Sequence, residues 1–491
     1  MLGFSRPHLF TSYEGESKIF NTSMQRLFAG LAIVVLLLIP FDVPVISHVP
    51  PFRHLGDPDW LRPVSTVLIF AVAALGLHLL SGVAGQVSLG HAFFMGVGAY
   101  GGAFLGGEGT ASVYGLGLPI WVWLPGAGIT AALVGILIAP VAVRLRGLYL
   151  AIVTLGLVFV GIHMGNTNWG RKFAGDPGLG RDFPTLDIRL WKEENPLITV
   201  SEEGRWLWFE ASKGQKNYIV LLLIMLIVMV LVQNITRTRT GRALQAIRDR
   251  DVAAEVMGIP EFKYKVIAFA LSSFFAGMGG ALLGSLTGKL PAVQWSLFLS
   301  VEFIAILLIG GIGTMTGTML GTVFVILSPV YIERFTEWLE EAGEAEEGLA
   351  SGGNIALVLV LLVAGIVMLL YAIKSSSRSA LGQGDPPKWV GTTAIAGTFA
   401  TLFGLVGLFT ADGVLRSVFR PISAFLLSDG PDDFGPVSIA TQATGWPMNA
   451  FDWNIALYGV LIILFLIFEP LGLYGIWRNV KSYFQRWPFS Y

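Results

Sequence analysis

Apolar residues recur along this chain in blocks of about 20, the length a helix needs to cross a hydrocarbon layer. The blocks fall near 27–46, 62–81, 88–105, 119–143, 147–165, 217–235, 264–286, 297–310, 314–332, 354–373, 391–411 and 454–469. They predict an all-α polytopic membrane protein of about twelve transmembrane helices. Glycines break the stretches around 82–100 and 310–320, which alternatively read as re-entrant segments. No small-residue cleavage site follows the first block, so it reads as a span and not as a secretory leader.

Polar residues between the blocks set the orientation. Arg6, Lys18 and Arg26 precede the first block. Arg144 and Arg146 follow the fourth, and Arg237, Arg239, Arg242, Arg248 and Arg250 follow the sixth. Lys374, Arg378 and Lys388 lie after the tenth, and Arg478, Lys481 and Arg486 in the tail. Alternation puts all five groups on one side, and basic short loops mark the cytoplasm. Both termini are then cytoplasmic. The opposite side receives the mixed loop Asp176–Lys216, the acidic run Glu333–Glu347 and the polar loop Asp412–Asp452. The acidic run reads most simply as a solvated face.

Composition excludes other classes. Of 491 residues 54% are hydrophobic and 13% charged, too greasy for a soluble enzyme or a disordered chain. A net charge of −1 provides no basic face for nucleic acid. The chain has no cysteine, hence no disulfide, thiolate metal site or thiol nucleophile. Sixty glycines are well above the usual share of about 7%.

Three segments carry candidate chemistry. The first, Leu79–Tyr100, sets Gln86, Ser88 and His91 among Gly82, Gly85 and Gly90 inside the apolar pattern. Backbone broken at membrane depth must be satisfied internally or line a water-filled cavity, as in transporter substrate sites. The plainer reading is close helix packing through small residues. The second, Arg239–Pro260, interleaves Arg and Asp with Ala243, Ala246, Ile247, Ala254 and Met257, and Gly258 and Pro260 stop it. It reads as an amphipathic docking helix for a soluble partner, or as a membrane-surface helix, which its balanced charge disfavours. The third, Ser300–Gly321, puts Glu302 in a span ahead of Gly310, Gly311 and Gly313. A charge there is a functional candidate, unless it snorkels to the interface.

Other signals fade on inspection. Gly96-x-Gly98-x-x-Gly101 has the form of a dinucleotide fingerprint, without the strand it requires. The stretch Gly284–Leu290 has the wrong spacing for a nucleotide loop. His78 and His163 are single histidines within spans, read as structural. Glu302, His78 and His163 together would suit an ion- or proton-coupled carrier, the competing reading.

These segments resemble the branched-chain amino acid importer permeases of the ATP-binding-cassette (ABC) class, in their M-type subunit. The resemblance rests on Gly85–Tyr100, Leu145–Gly156, Gly241–Gly258, Glu302 with Gly310-Gly311-x-Gly313, and Phe468-Glu469-Pro470 ahead of Trp487-Pro488-Phe489. One departure is Val252-Ala253-Ala254-x-x-x-Gly258, where importer permeases carry Glu-Ala-Ala-x-x-x-Gly; here Asp251 precedes the motif. The resemblance implies a plasma-membrane permease with no cofactor and no enzymatic activity of its own. It implies a second, H-type permease, two ATP-binding subunits and an extracytoplasmic binding protein as partners. Gly85, Gln86, Ser88, Gly90, His91, Glu302, Gly310, Gly311 and Gly313 would line the substrate path. Gly241, Arg242, Ala243, Arg248, Asp251, Ala253, Ala254, Glu255 and Gly258 would couple to the ATPases. The solute would be a branched-chain amino acid, or a urea or amide relative. By the same pattern, residues 1–333 form the first part of the permease core, with a coupling loop at 236–262. Residues 334–453 form an insert with two extra spans, and 454–491 the last span and basic tail.

Overall fold

The computed structural model describes residues 23–41, 58–110, 112–145, 147–189, 199–201, 203–206 and 209–344, with a few positions between 368 and 478. It divides into two units, Met1–Val323 with Arg478–Tyr491, and Phe324–Trp477. The described core belongs almost wholly to the first. The expected blocks at 354–373, 391–411 and 454–469, nearly all of the 334–453 insert and most of the tail lie outside the described residues.

The helices follow the apolar blocks. They are α1 (Ser23–Leu38), α2 (Pro58–Leu77, continuing as a π-helix His78–Val83), α3 (His91–Gly106), α4 (Ile120–Arg144) and α5 (Leu148–Asn166). After a single turn α6 (Arg171–Ala174) come α7 (Lys213–Arg237), α8 (Arg239–Asp249), α9 (Asp251–Val256), α10 (Glu261–Thr287), α11 (Leu297–Gly310) and α12 (Met315–Glu344). Among the described residues six segments are long and apolar enough to cross a membrane: Trp60–Val83, Ile120–Val141, Tyr149–Asn166, Lys213–Arg237, Glu261–Thr287 and Ala292–Gly310. The chain is a multi-pass helical membrane protein. Minor strands join the loops: β1 (Arg181–Asp182) pairs with β4 (Lys289–Leu290), and β2 (Gly204–Trp206) with β3 (Phe209–Ala211).

Helix α10 is the centre of the first unit, packed on α2, α3 and α4. Glycines permit this. A Cβ on Gly98 of α3 would run into the backbone of Gly277 on α10, and one on Gly280 into the carbonyl of Met95. A Cβ on Gly102 would stand 2.9 Å from that of Ala281 and 3.0 Å from that of Ala127. Close backbone approach replaces interdigitated large side chains, the packing favoured where lipid removes any hydrophobic drive between helices. Part of the glycine excess is thus structural.

Helix α7 starts with a reciprocal cap: the Ser212 hydroxyl accepts from Gln215 N–H, and Gln215 Oε1 accepts from Ser212 N–H at 2.9 Å. The same Gln215 donates through Nε2 to Pro40 O at 2.7 Å, and Tyr218 donates to Leu36 O at 2.9 Å, fastening α1 to α7.

Candidate functional site

Chain alternation sorts the connections into two groups. One end of the bundle holds Ala84–Gly90, the α4–α5 turn, α8–α9 and the turn Gly311–Thr314. The other holds the connections 107–119, 167–212 and 288–296.

At the first end, α2 and α3 are one interrupted helix pair. The π-helix closes with Ala84 N–H on Leu79 O at 3.1 Å and Gln86 N–H on Leu80 O at 3.0 Å. Gly85 then takes φ +71, which a side chain would strain, and the chain reverses. The orphan donors at the start of α3 are met by other helices. Leu89 N–H donates to the Thr154 hydroxyl of α5 at 2.9 Å, and Ala92 N–H to Ser300 of α11 at 3.1 Å. Gly90 lies so close to α5 that a Cβ would stand 2.7 Å from Thr154 O.

His91 is buried. Its Nε2 lies 3.0 Å from Ala73 O, and its ring meets Phe303 edge-on at 4.8 Å. The Ser88 hydroxyl accepts from Gly90 N–H at 3.3 Å. Gln86 is buried, its own carbonyl accepts from the Ser81 hydroxyl at 2.8 Å, and its side-chain Oε1 has no hydrogen-bond partner among the described residues. Glu302 sits half-buried in the middle third of α11, next to Phe303, which stacks on Phe70 at 5.0 Å. Gly311 (φ +115) and Gly313 (φ +85) make the turn out of α11, and a Cβ on Gly310 would meet the backbone of Gly317.

The segment read as one amphipathic helix over 239–258 is two. Arg250 leaves helical backbone at φ −156, ψ 102, and Asp251 opens α9 with its carboxylate accepting Val252 N–H at 2.8 Å. An acid in the first turn suits the positive end of the helix dipole. Gly241 sits in the tight corner between α7 and α8, where a Cβ would strike Thr236. Gly241, Ala243, Leu244, Ile247 and Ala254 are buried against the bundle. Arg242, Ala253, Glu255 and Gly258 are exposed and Asp251 half-exposed. Val256 and Met257 are 83% and 84% exposed, an apolar tip that the bundle does not use. Arg248 is exposed in part, but its guanidinium donates to the carbonyl of Gly82. The first and second segments singled out in the sequence therefore touch.

At the opposite end, sequence reasoning missed Arg181. It is buried and donates to Phe173 O at 2.9 Å, Ala103 O at 2.8 Å and Tyr114 O at 2.9 Å. Burial lowers its pKa from the usual arginine value. Nearby Asp187 accepts from Thr185, Val200 and Ser201, with Val200 N–H at 2.6 Å. Burial works against its ionisation, but these hydrogen bonds outweigh it and hold the carboxyl below its usual range. A cavity of about 770 Å³ opens here, with Trp123, Arg171, Asp182 and Arg189 among its walls. Among the described residues no group of three acidic or histidine side chains is placed to hold a metal ion.

Comparisons with known proteins follow the same segments. The family described as "Branched-chain amino acid transport system / permease component" matches residues 61–372. A Salmonella typhimurium protein, the high-affinity branched-chain amino acid transport system permease protein LivM, is 28% identical over 375 residues, 74% of this chain and 80% of the relative. The Escherichia coli protein of the same name is 28% identical over 327 residues, 64% of this chain and 72% of the relative. No solved structure matches the chain.

Proposed function

Because the chain belongs to the family of branched-chain amino acid transport system permease components, we propose that it is the membrane-spanning permease subunit of an ATP-driven importer for branched-chain amino acids. The observation that carries the mechanism is the junction between the charged pair α8–α9 and the interrupted pair α2–α3. The protein performs no chemistry on the solute. Of two ATP-binding subunits, one receives the exposed face of α9, with Val256, Met257, Glu255 and Ala253 entering its groove and Arg242 and Gly258 bordering it. An apolar tip ringed by charge is the composition of a docking element.

A second, H-type permease completes the path. Glu302 supports this: a carboxylate half-buried in the middle of a spanning helix, beside the exposed Val301, is costly against lipid and is accommodated against a wet or polar partner. The path then runs between the two permeases, past Glu302 and the helix breaks at Gly85–Gly90 and Gly310–Gly313. A binding protein delivers solute to the end that holds Arg181. That end is extracytoplasmic because the short arginine-rich connections sit at the other.

Transport by the reconstituted complex tests the reading. Labelled leucine should accumulate in vesicles only when ATP and the ATP-binding subunits are present. Uptake that persists without ATP and stops when a proton gradient is collapsed would replace it with a coupled carrier. Glu302→Gln should slow uptake severalfold, with the complex intact on co-purification; unchanged uptake would remove Glu302 from the path.

A further inference from the structure

We propose that Arg248 is the joint through which the charged helix α8 moves the membrane-spanning helices, and that it acts inside this chain and not on the ATP-binding subunit. The inference rests on the ATP-driven permease reading above. Its guanidinium donates to Gly82 O, in the last turn before α2 ends. Carbonyls there have no partner within the helix, and a cation meets the negative end of the dipole.

The rest of the junction is shaped around this one side chain. A Cβ on Gly85 would stand 2.8 Å from Arg248 Cγ and 3.2 Å from its Cβ. A Cβ on Gly313 would meet the Arg248 guanidinium, and one on Gly82 would stand 2.8 Å from His78 Nδ1 and 3.2 Å from Gly313 N. Three glycines from two helix breaks thus line the inner side of one arginine. Each break joins two helices, α2 to α3 and α11 to α12. Ala243, Leu244 and Ile247 bury the inner face of α8, so the helix cannot roll Arg248 away without exposing them. A shift of α8 therefore reaches both breaks through a single packed contact, the kind of physical link that coupling between distant sites requires.

The absence of cysteine permits a clean test. In the full complex in native membranes, the pair Gly85→Cys and Arg248→Cys should form a disulfide on oxidation. The Cβ separation of 3.2 Å is slightly short of the usual disulfide range of about 3.5–4.5 Å. Both thiols should then resist maleimide labelling until reduced. Free thiols after oxidation would overturn the proposed geometry, whatever the transport result.

Arg248→Ala should keep the ATP-binding subunits on co-purification and keep ATP hydrolysis. Uptake per ATP hydrolysed should fall about tenfold, the scale of one charge-assisted hydrogen bond. Arg248→Lys should regain part of the loss. Unchanged uptake per ATP overturns the joint, and loss of the ATP-binding subunits from Arg248→Ala reassigns the residue to docking. The oxidised cysteine pair should transport better than its reduced form, because a covalent link replaces the lost contact; equal rates overturn the proposal. A wild-type complex without ATP-dependent uptake would sink the permease reading alone, since cross-linking is scored without transport.

Discussion

Arg181 and Arg248 each finish a helix at its carbonyl end, at opposite ends of the bundle, with different means. Arg181 closes α3 through Ala103 O and the single turn α6 through Phe173 O, and adds Tyr114 O from a loop. It is 3% exposed. Arg248 closes α2 through one carbonyl and leaves part of its side chain open to solvent. A buried cation shared among three distant carbonyls is a staple, because any movement strands several polar groups at once. A single partner at an open edge holds position without forbidding movement. In the function proposed above, the end that would receive solute is thus fixed and the end that would meet the ATP-binding subunits is jointed.

That contrast can be broken at several points. Arg181→Ala should have the largest effect: Phe173 O and Tyr114 O lose the guanidinium and Ala103 O keeps only Gly107 N–H, at about 1–3 kcal/mol for each carbonyl that water cannot reach. Thermal unfolding in detergent should show a loss of several degrees or no folded protein; a melting point equal to wild type would make the staple irrelevant. Gly90→Leu comes next. Its side chain has no space against Thr154 O, so overpacking of about 1–3 kcal/mol is expected together with loss of uptake. Normal uptake would show that the α3–α5 contact yields freely.

Arg248→Ala should be milder on stability, below about 1 kcal/mol for one partly solvated hydrogen bond, while its effect appears in uptake per ATP. If its melting point falls as far as that of Arg181→Ala, the two arginines do the same work and the contrast disappears. The smallest effect concerns acid. The pKa of Asp187 is depressed in the folded protein, so its contribution is present above the ordinary carboxylate range. It is lost as pH falls through the depressed value. Asp187→Asn should therefore flatten the decline of melting temperature below about pH 4, where carboxylates begin to titrate. An unchanged acid limb would assign that decline to other groups.

The positions of the six spans found among the described residues were legible because apolar blocks of the right length leave few alternatives in a membrane. The break at Gly82–Gly90 was legible too, since glycines with Gln86 and Ser88 do not continue a helix in lipid. What remained hidden was the partner of each polar group. His91 reads as a pathway residue by type, and the structure gives its Nε2 to Ala73 O and its ring to Phe303. Ser300 and Thr154 serve as caps on α3 from positions 208 and 65 residues away. Such pairings depend on three-dimensional crossing, which no local pattern records. Arg181 gave no signal because a lone arginine in a polar loop looks solvated. The division of α8 from α9 was missed because Arg250 and Asp251 fit an amphipathic helix by charge alone.

The π-helix His78–Val83 carries an extra residue in its turn relative to an α-helix. Winding the same six residues as an ordinary α-helix, with none removed, would advance the end of α2 by about one position of register. Each position of register is about 100° of rotation. The carbonyl of Gly82 would then swing round the helix axis, out of reach of Arg248, with both residues still present. A helix rewound in this way would contain every residue of the proposed joint and still be disconnected, so in this protein the residue count of one turn is itself part of the coupling.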